Sequence, residues 1–406
     1  MSPVSSPVQC FSPFTILNTK SYFFAFTEDG PYPADNEAIR PFNISVPQSD
    51  LDYLKSRLAN ARFADHLPGT AFRYGMNPEE LKKVVQYWNS TYDWRQQEAW
   101  LNSYPQYLTQ IEGLDVHYVH VKAKENASTV IPLVTVHGWP SSFMEAYKSF
   151  EMLTTPDASG IAFEVIAPSI PGFGYGEGAH REGMENTAMA RIFTKLMARL
   201  GHSKYMLQGG DWGSAITRAM AIMYPEKAMG IHVLGVFDAL ENLLSPERMA
   251  RVGLKQLIPD LSSIKSLKDL QGLTGLFDLD NLENQPAIVA MKSMLSETDR
   301  KKLFPLKEKL VQAFEETGIL HLMATKPDTI ASVLIDSPVG MAAHILEKFS
   351  TFVDTENRNA EDGRLTAKFT LDEMLTNVMI YWTSGNVAAT CRIYKSLIQE
   401  NSGVTK

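Results

Sequence analysis

Cysteine is scarce in this chain of 406 residues, which contains only Cys10 and Cys391. Two cysteines cannot build the disulfide framework of a small secreted domain, so we expect the protein in a reducing compartment. Long runs of like charge are also missing, although the formal net charge is −8. This charge pattern argues against a nucleic-acid partner. No segment has the roughly eighteen uninterrupted apolar residues that a membrane span needs.

A clear structural pattern is also missing at the start of the chain. Residues 1–38 are rich in Pro, Ser and Phe, and they lack the basic start and apolar middle of a signal peptide. We therefore predict a poorly ordered leader there. From Ile39 the sequence IRPFNISVP favours an extended segment, and three apolar stripes at helical spacing follow it. The predicted helices are Asp50–Asn60, Asn77–Asn89 and Tyr92–Asn102.

Strand and helix patterns alternate from Gln110 to Val236. IEGLDVHYVHV alternates apolar and polar residues, and continuous apolar runs such as VIPLVTV favour buried strands. The later predicted strands are Val130–Pro140, an apolar run that ends in a turn, Phe163–Gly172, Lys204–Gln208 and Gly230–Val236. The predicted helices between them are Phe143–Leu153, Ala188–Leu200 and Ser214–Tyr224. This alternation predicts an α/β fold with a mainly parallel sheet and helices on both faces.

One tight turn in this α/β region has the composition Gly209-Gly210-Asp211-Trp212-Gly213. It joins a predicted strand to a predicted helix and matches the G-x-nucleophile-x-G elbow, with aspartate as the nucleophile. Glycines two positions before and after that residue allow the facing backbones to approach. Helix N–H groups there would keep the Asp211 carboxylate ionised. A Gly-rich turn with Asp211 as a helix N-cap explains the same residues.

Active sites of parallel α/β sheets lie at the C-terminal ends of the strands. Asp211 and the stretch His137-Gly138-Trp139-Pro140 both follow predicted strands, so we expect them at the same edge. After Val236 the strand pattern stops, and residues 237–400 are predicted to be helical, with residues 401–406 as a tail. A helical insertion at the catalytic edge favours a lid, and a separate helical domain is the alternative. The predicted helices are Leu303–Thr317, Thr329–Phe352, Asp372–Ser384 and Ala388–Glu400.

Several motifs together resemble the microsomal-type epoxide hydrolases, which include the insect juvenile hormone epoxide hydrolases. The resemblance extends from about Ile39 to Tyr394, and its motifs include YDWRQQEAWLNSYPQY, HGWP, EVIAPSIPGFGY, QGGDWGS, ATKPDTI, DSPVGMAAHILEKF and LTNVMIYW. The pairing of HGWP with QGGDWG is the most specific feature. The resemblance implies an α/β-hydrolase fold with an N-terminal meander over residues 39–112, a core over residues 113–236 and a helical lid.

The resemblance also implies a two-step reaction. Asp211 is then the nucleophile, which attacks the less hindered epoxide carbon and forms an alkyl ester that water releases as a vicinal diol. The backbone N–H groups of Trp139 and Trp212 match the family's oxyanion hole. A cis peptide bond before Pro140 is implied as well, and it would aim the Trp139 amide.

The chain departs from the family pattern in two respects. Family members hydrogen-bond the epoxide oxygen with two lid tyrosines, of which Tyr394 matches one as proton donor, whereas Ile319 replaces the other. The family's histidine base, in a G-G-H-F motif, and its orienting acid lie beyond Lys406. We therefore expect the last strands and helix to be missing and an apolar strand edge to be exposed. None of the nine histidines has a context that could replace the base, and His137 is expected to be structural.

Three functions follow from the resemblance. The first is an epoxide hydrolase, and the second is a catalytically deficient homologue that binds or traps epoxides. A haloalkane dehalogenase also has an Asp elbow, but it would need Trp or Asn halide donors and would lack the N-terminal meander. The expected partner is a small-molecule epoxide, with no metal and no cofactor. Animal relatives are often anchored to the endoplasmic reticulum membrane, but residues 1–38 contain no such anchor, so we expect a cytoplasmic protein and leave peripheral membrane association open.

Overall fold

The computed structural model describes residues 34–234, 282–284 and 286–402. These residues fall into two compact units, the larger within Asn18–Val236 and Leu322–Ile398 and the smaller within Phe237–His321 and Gln399–Lys406. Most of the predicted leader, the last two residues of the predicted strand Gly230–Val236, and the first part of the predicted lid, residues 237–281, lie outside the described residues.

The larger unit contains a seven-stranded sheet in the order β1-β2-β3-β5-β4-β6-β7. Its strands are β1 Arg40–Phe42, β2 Gln106–Ile111, β3 Leu114–Val121, β4 Thr129–Val136, β5 Ile161–Pro168, β6 Tyr205–Gly210 and β7 Ala228–Leu234. The pairings β1–β2, β2–β3 and β3–β5 are antiparallel, whereas β4–β5, β4–β6 and β6–β7 are parallel. The mainly parallel sheet predicted for the strands after Gln110 is confirmed, because three of the four pairings among β3 to β7 are parallel. The antiparallel half of this mixed sheet consists of the β3–β5 pairing and the two pairings made by β1 and β2.

The antiparallel half includes a hairpin that the sequence pattern did not predict. Ile111 of β2 pairs with Leu114 of β3 across a two-residue turn. Both turn residues have positive φ, 55° at Glu112 and 76° at Gly113. Such a turn matches the right-handed twist of the two strands that it joins. The IEGL stretch, predicted to begin one strand, is therefore the turn between two, and β2 is an additional strand.

The predicted helices of the N-terminal and α/β regions are confirmed. They are α1 Gln48–Ala59, α2 Pro78–Ser90, α3 Trp94–Leu101, α4 Tyr147–Thr154, α5 Asn186–Arg199 and α6 Trp212–Met223. The Asn77 side chain caps α2 by accepting a hydrogen bond from the Glu79 N–H, as an N-cap residue does. The apolar stripes of α1 and α2 are buried, as predicted: Leu51, Leu54, Leu58, Leu81, Val84, Val85 and Trp88.

One predicted helix in the C-terminal region was wrong. The helices there are α7 Pro286–Met294, α8 Glu297–Leu303, α9 Leu306–Glu316, α10 Gly318–Thr325, α11 Pro327–Asp336, α12 Pro338–Thr351, α13 Leu371–Ser384 and α14 Val387–Ser402. The predicted helix Thr329–Phe352 is the pair α11 and α12, bent by 114°. Pro338 disfavours helical backbone at Ser337, whose hydroxyl accepts from the Gly340 N–H at 2.9 Å and so caps a new helix.

Among the described residues no single helix is long and apolar enough to cross a membrane. The bent pair α11 and α12 reaches the length and apolar composition of a membrane span only when the two helices are taken together.

Helices α13 and α14 contact the loops that follow β4 and β5. The Asn377 amide donates to the carbonyl of Pro140 at 2.6 Å, and the hydroxyl of Tyr381 donates to the carbonyl of Ser141 at 2.6 Å. From α14, the Thr390 hydroxyl donates to a carbonyl in the loop after β5 at 2.7 Å. The part of the helical region in the larger unit therefore covers the edge of the sheet where we expect the active site.

Strand β7 forms one edge of the described sheet and has an apolar surface. Met229, Ile231 and Leu234 are 53%, 42% and 59% exposed. Exposed apolar side chains on an edge strand favour pairing with another strand or surface. This exposure agrees with the predicted apolar strand edge.

Candidate active site

Asp211 lies in the turn between β6 and α6 and has a strained backbone. Its φ of 50° and ψ of −120° are rare for a residue other than glycine. Holding a residue there costs on the order of 1–3 kcal/mol. The Asp211 N–H donates to the Leu234 carbonyl at 3.0 Å, and the Ser214 hydroxyl donates to the Asp211 carbonyl at 2.7 Å. These bonds fix the residue at the C-terminal end of β6.

Two glycines make this turn sterically possible. A Cβ atom on Gly209 would lie 2.2 Å from the carbonyl oxygen of Gly213, and a Cβ on Gly213 would lie 1.9 Å from the carbonyl oxygen of Val136. Gly210 is different, because the nearest atom to an added Cβ would be 3.5 Å away. The positions two before and two after Asp211 thus require glycine, whereas the position directly before it does not.

The loop His137-Gly138-Trp139-Pro140 faces the Asp211 carboxylate. The Trp139 N–H donates to Oδ1 of Asp211 at 2.9 Å. The N–H of Trp212, the first residue of α6, is also close enough to this carboxylate to lower its pKa. The peptide bond between Trp139 and Pro140 is cis. A Cβ on Gly138 would lie 2.5 Å from the Asp211 Cβ, so glycine at this position allows the loop to approach the carboxylate.

Burial and hydrogen bonding have opposite effects on the pKa of Asp211. Burial raises it, whereas the N–H groups of Trp139 and Trp212 lower it by stabilising the anion. Burial is the larger effect, so the pKa lies above the ordinary value of 3.8. The carboxylate is therefore a stronger base than that of an exposed aspartate, and it remains in contact with two donors.

His137 uses both ring nitrogens within the loop structure. Nδ1 donates to the carbonyl of Gly138 at 3.0 Å, and Nε2 accepts from the Ile170 N–H at 3.1 Å. Burial lowers its pKa to about 4, so the ring is neutral near pH 7. The histidine links the loop after β4 to the loop after β5. This geometry supports a structural role.

Tyr394 of α14 lies against both tryptophans of the site. Its ring centroid is 4.9 Å from that of Trp212 and 6.3 Å from that of Trp139, and both contacts are edge-to-face. The residue is buried. Burial and the nearby charge of Asp211 raise the pKa of Tyr394 well above its ordinary value. The phenol is therefore a protonated hydrogen-bond donor beside the carboxylate.

Ile319, the residue predicted to replace the second lid tyrosine, lies in α10 and is half-buried. Its side chain carries no hydrogen-bond donor. It belongs to the smaller unit, whereas Asp211 and Tyr394 belong to the larger one. Its place in a lid over the site stays a prediction.

A second carboxyl group, that of Glu145, also lies at the site and was not predicted. The Gly138 N–H donates to its Oε2 at 3.4 Å. Burial raises the pKa of Glu145, and the charge of Asp211 raises it further, against the opposing hydrogen bonds from Gly138 and Ser141. In the sequence this residue is one glutamate in the predicted helix Phe143–Leu153, and no motif distinguishes it from a surface glutamate.

His344 of α12 is another neighbour of the site that the sequence did not indicate. Its ring centroid lies 5.1 Å from that of Trp139. Its Nε2 is buried and has no hydrogen-bond partner among the described residues. Burial, followed by the charge of Lys348, lowers its pKa to about 4. A neutral imidazole therefore packs against the loop that contacts Asp211.

The geometry as a whole suits nucleophilic attack by a carboxylate. A carboxylate held at a strained elbow can attack an electrophilic carbon and form an ester. The N–H groups of Trp139 and Trp212 contact the same carboxylate, so they can hold a negative charge on the ester carbonyl when water attacks it. The Tyr394 phenol can donate a proton to a leaving oxygen.

Comparisons with known proteins match most of the chain. The family profile described as Epoxide hydrolase N terminus matches residues 39–146, and that described as alpha/beta hydrolase fold matches residues 131–260. The chain is 40% identical over 371 residues to Epoxide hydrolase 1 of Sus scrofa, covering 90% of this chain and 74% of that protein. It is 41% identical over 359 residues to Juvenile hormone epoxide hydrolase 2 of Ctenocephalides felis, covering 88% of this chain and 69% of that protein.

A solved structure supports the same assignment. The juvenile hormone epoxide hydrolase from the silkworm Bombyx mori is similar with a TM-score of 0.75 and 34% identity, covering 89% of this chain and 77% of that one. The shared fold agrees with the mixed sheet and the helices on its faces. This chain therefore belongs to the epoxide hydrolases, a family of hydrolytic enzymes with the α/β-hydrolase fold.

Proposed function

We propose that this protein hydrolyses small-molecule epoxides through a covalent ester on Asp211. The observation that carries the proposal is the Asp211 carboxylate at the elbow, with the Trp139 N–H 2.9 Å from its Oδ1. The relatives named above are epoxide hydrolases by name and share 40% and 41% of their aligned residues with this chain. The Tyr394 phenol beside the two tryptophans supplies the donor that ring opening needs.

In the first step a carboxylate oxygen of Asp211 attacks one carbon of the epoxide ring. A carbon–oxygen bond forms to the carboxylate, and the ring bond between that carbon and the epoxide oxygen breaks. The electron pair of the broken bond stays on the epoxide oxygen, which takes the proton of the Tyr394 hydroxyl. The product is an ester of Asp211 with a hydroxyl group on the neighbouring carbon.

In the second step water attacks the ester carbonyl, which belongs to Asp211. Negative charge develops on the carbonyl oxygen, and the N–H groups of Trp139 and Trp212 stabilise it. The bond between the carbonyl carbon and the substrate oxygen then breaks, and that oxygen takes one proton of the attacking water. The second proton of the water restores the Tyr394 hydroxyl, which gave up its proton in the first step. The diol leaves with one oxygen from Asp211, and the oxygen of the attacking water remains in the carboxylate.

Covalent capture of epoxides without turnover is a second candidate function. The second step needs a base to take a proton from water. His137 cannot serve, because Nδ1 is bonded to the Gly138 carbonyl and Nε2 to the Ile170 N–H. A protein whose ester hydrolysis is much slower than ring opening accumulates the ester and binds one epoxide per chain.

Incubation with styrene oxide, followed by parallel assays of diol and protein mass, tests both candidates. Asp211→Asn should abolish diol formation and covalent labelling, because a neutral amide is a poor nucleophile. Asp157→Asn is the matched control, since Asp157 is exposed in a turn and should leave both unchanged. Diol over many turnovers supports the hydrolase, and one adduct per chain without diol supports capture. Diol or adduct persisting in Asp211→Asn would contradict both.

A further inference from the structure

Three possible metal ligands meet in the larger unit, away from Asp211. They are His120 on β3, Glu164 in the first half of β5, and His202 in the connection between α5 and β6. His202 precedes the N-terminal end of β6, whereas Asp211 follows its C-terminal end. The cluster therefore lies at the end of the parallel strands opposite to the candidate active site.

The distances within this cluster are short enough for one ion. Nε2 of His120 lies 2.6 Å from Oε1 of Glu164, and Nε2 of His202 lies 3.7 Å from Oε2. The three ligand atoms are all within 4.8 Å of one another. Their side chains are 13%, 18% and 15% exposed in the order His120, Glu164, His202, so the cluster is shielded but open to a small ion.

Hydrogen bonding leaves one member of the cluster unsatisfied. Nε2 of His202 is buried and has no hydrogen-bond partner in the described part of the chain. Its 3.7 Å separation from Glu164 is too long for a hydrogen bond. Buried polar atoms are rarely left unpaired in folded proteins, and a bound ion is one recognised reason for such an atom.

We propose that His120, Glu164 and His202 form a binding site for a divalent transition metal of the zinc class. Two imidazoles and one carboxylate are a common ligand set for Zn²⁺, with water in the fourth position. Zinc bonds of about 2.0–2.2 Å put tetrahedral ligand atoms roughly 3.4 Å apart. The separations of 2.6 Å and 3.7 Å lie on either side of that value, so small side-chain movements complete the site.

A bound ion would connect three segments of the sheet. His120 and Glu164 already lie on paired strands, because β3 and β5 are antiparallel neighbours. His202 would add the connection that leads into β6, the strand before Asp211. Since the three ligands come together only in the folded chain, the metal should stabilise the native state.

The alternative is that a histidine–carboxylate hydrogen bond accounts for the cluster. The chain offers a matched control, because His180 Nε2 also lies near a carboxylate oxygen, 2.8 Å from Glu177 Oε1. Within the described residues, no third possible metal ligand joins His180 and Glu177. A simple histidine–carboxylate pair should not bind a metal ion tightly, so the two sites should respond differently to Zn²⁺.

Calorimetric titration of the chelator-treated full chain with Zn²⁺ tests the proposal. We expect one Zn²⁺ per chain, a higher melting temperature, and binding at least about tenfold weaker in His202→Gln and in Glu164→Gln. His180→Gln should bind Zn²⁺ like the unmodified protein. Co²⁺ added to the unmodified protein should give visible absorption bands, a readout that needs no variant to fold. Absence of stoichiometric Zn²⁺ binding and of Co²⁺ bands, or undiminished binding in folded His202→Gln, would overturn the proposal.

Discussion

At the scale of single residues, the strained turn at Asp211 depends most directly on Gly213. Gly213→Ala would place a Cβ 1.9 Å from the carbonyl oxygen of Val136. Because backbone must move to relieve this overlap, we expect the free energy of unfolding to fall by about 3 kcal/mol or more, as measured by urea titration. Gly210→Ala is the control, since its added Cβ would have no neighbour closer than 3.5 Å. Equal stability of the two variants would contradict the elbow geometry.

The protonation state of Asp211 should control the rate of ester formation. Only the anion attacks an epoxide, and burial raises the pKa of this carboxyl above 3.8. The rate should be constant above the raised pKa and should fall about tenfold per pH unit below it. Rapid-quench labelling across a pH series measures this dependence. A midpoint below the pKa of an ordinary aspartate would show that the hydrogen bonds outweigh burial.

At the scale of elements, helix α13 positions the loop that contacts Asp211. The Tyr381 hydroxyl donates to the Ser141 carbonyl at 2.6 Å, two residues after Trp139. Tyr381→Phe leaves that carbonyl unpaired, which should cost about 1–3 kcal/mol in stability. Because the loop loses an anchor, labelling of Asp211 should slow by roughly tenfold.

Tyr175→Phe is the control for this prediction. It removes a hydrogen bond of 3.1 Å to Thr383 on the same helix without touching the Trp139 loop. We expect a loss of stability and an unchanged labelling rate. If both variants slow labelling equally, the effect comes from general loosening of α13 and the proposed anchoring is incorrect.

Local sequence signals predicted most elements, and the errors have physical causes. Helices such as α1 and α2 were predicted correctly because their buried residues repeat at helical spacing. The break between α11 and α12 was missed because apolar spacing continues through Ser337, although Pro338 disfavours a helix there. The hairpin at Glu112 was missed because a two-residue turn barely interrupts the alternation of the strands.

At the scale of the whole molecule, predictability depended on how local each contact is. The contact between Asp211 and the Trp139 loop was expected from two motifs at the ends of neighbouring strands. The bond from Asn377 to Pro140 joins residues 237 positions apart, and only the folded chain brings them together. Glu145 and His344 were missed for the same reason, since each lies in a helix whose packing places it at the site.

The central claim, that Asp211 forms an ester with an epoxide, is tested most directly by single turnover in H₂¹⁸O. With enzyme in excess over styrene oxide, we expect the peptide containing Asp211 to carry either the epoxide adduct or one ¹⁸O. The first diol formed should contain no ¹⁸O, because its new oxygen comes from the carboxylate. Diol that carries ¹⁸O from the first turnover, with the mass of that peptide unchanged, would contradict the account.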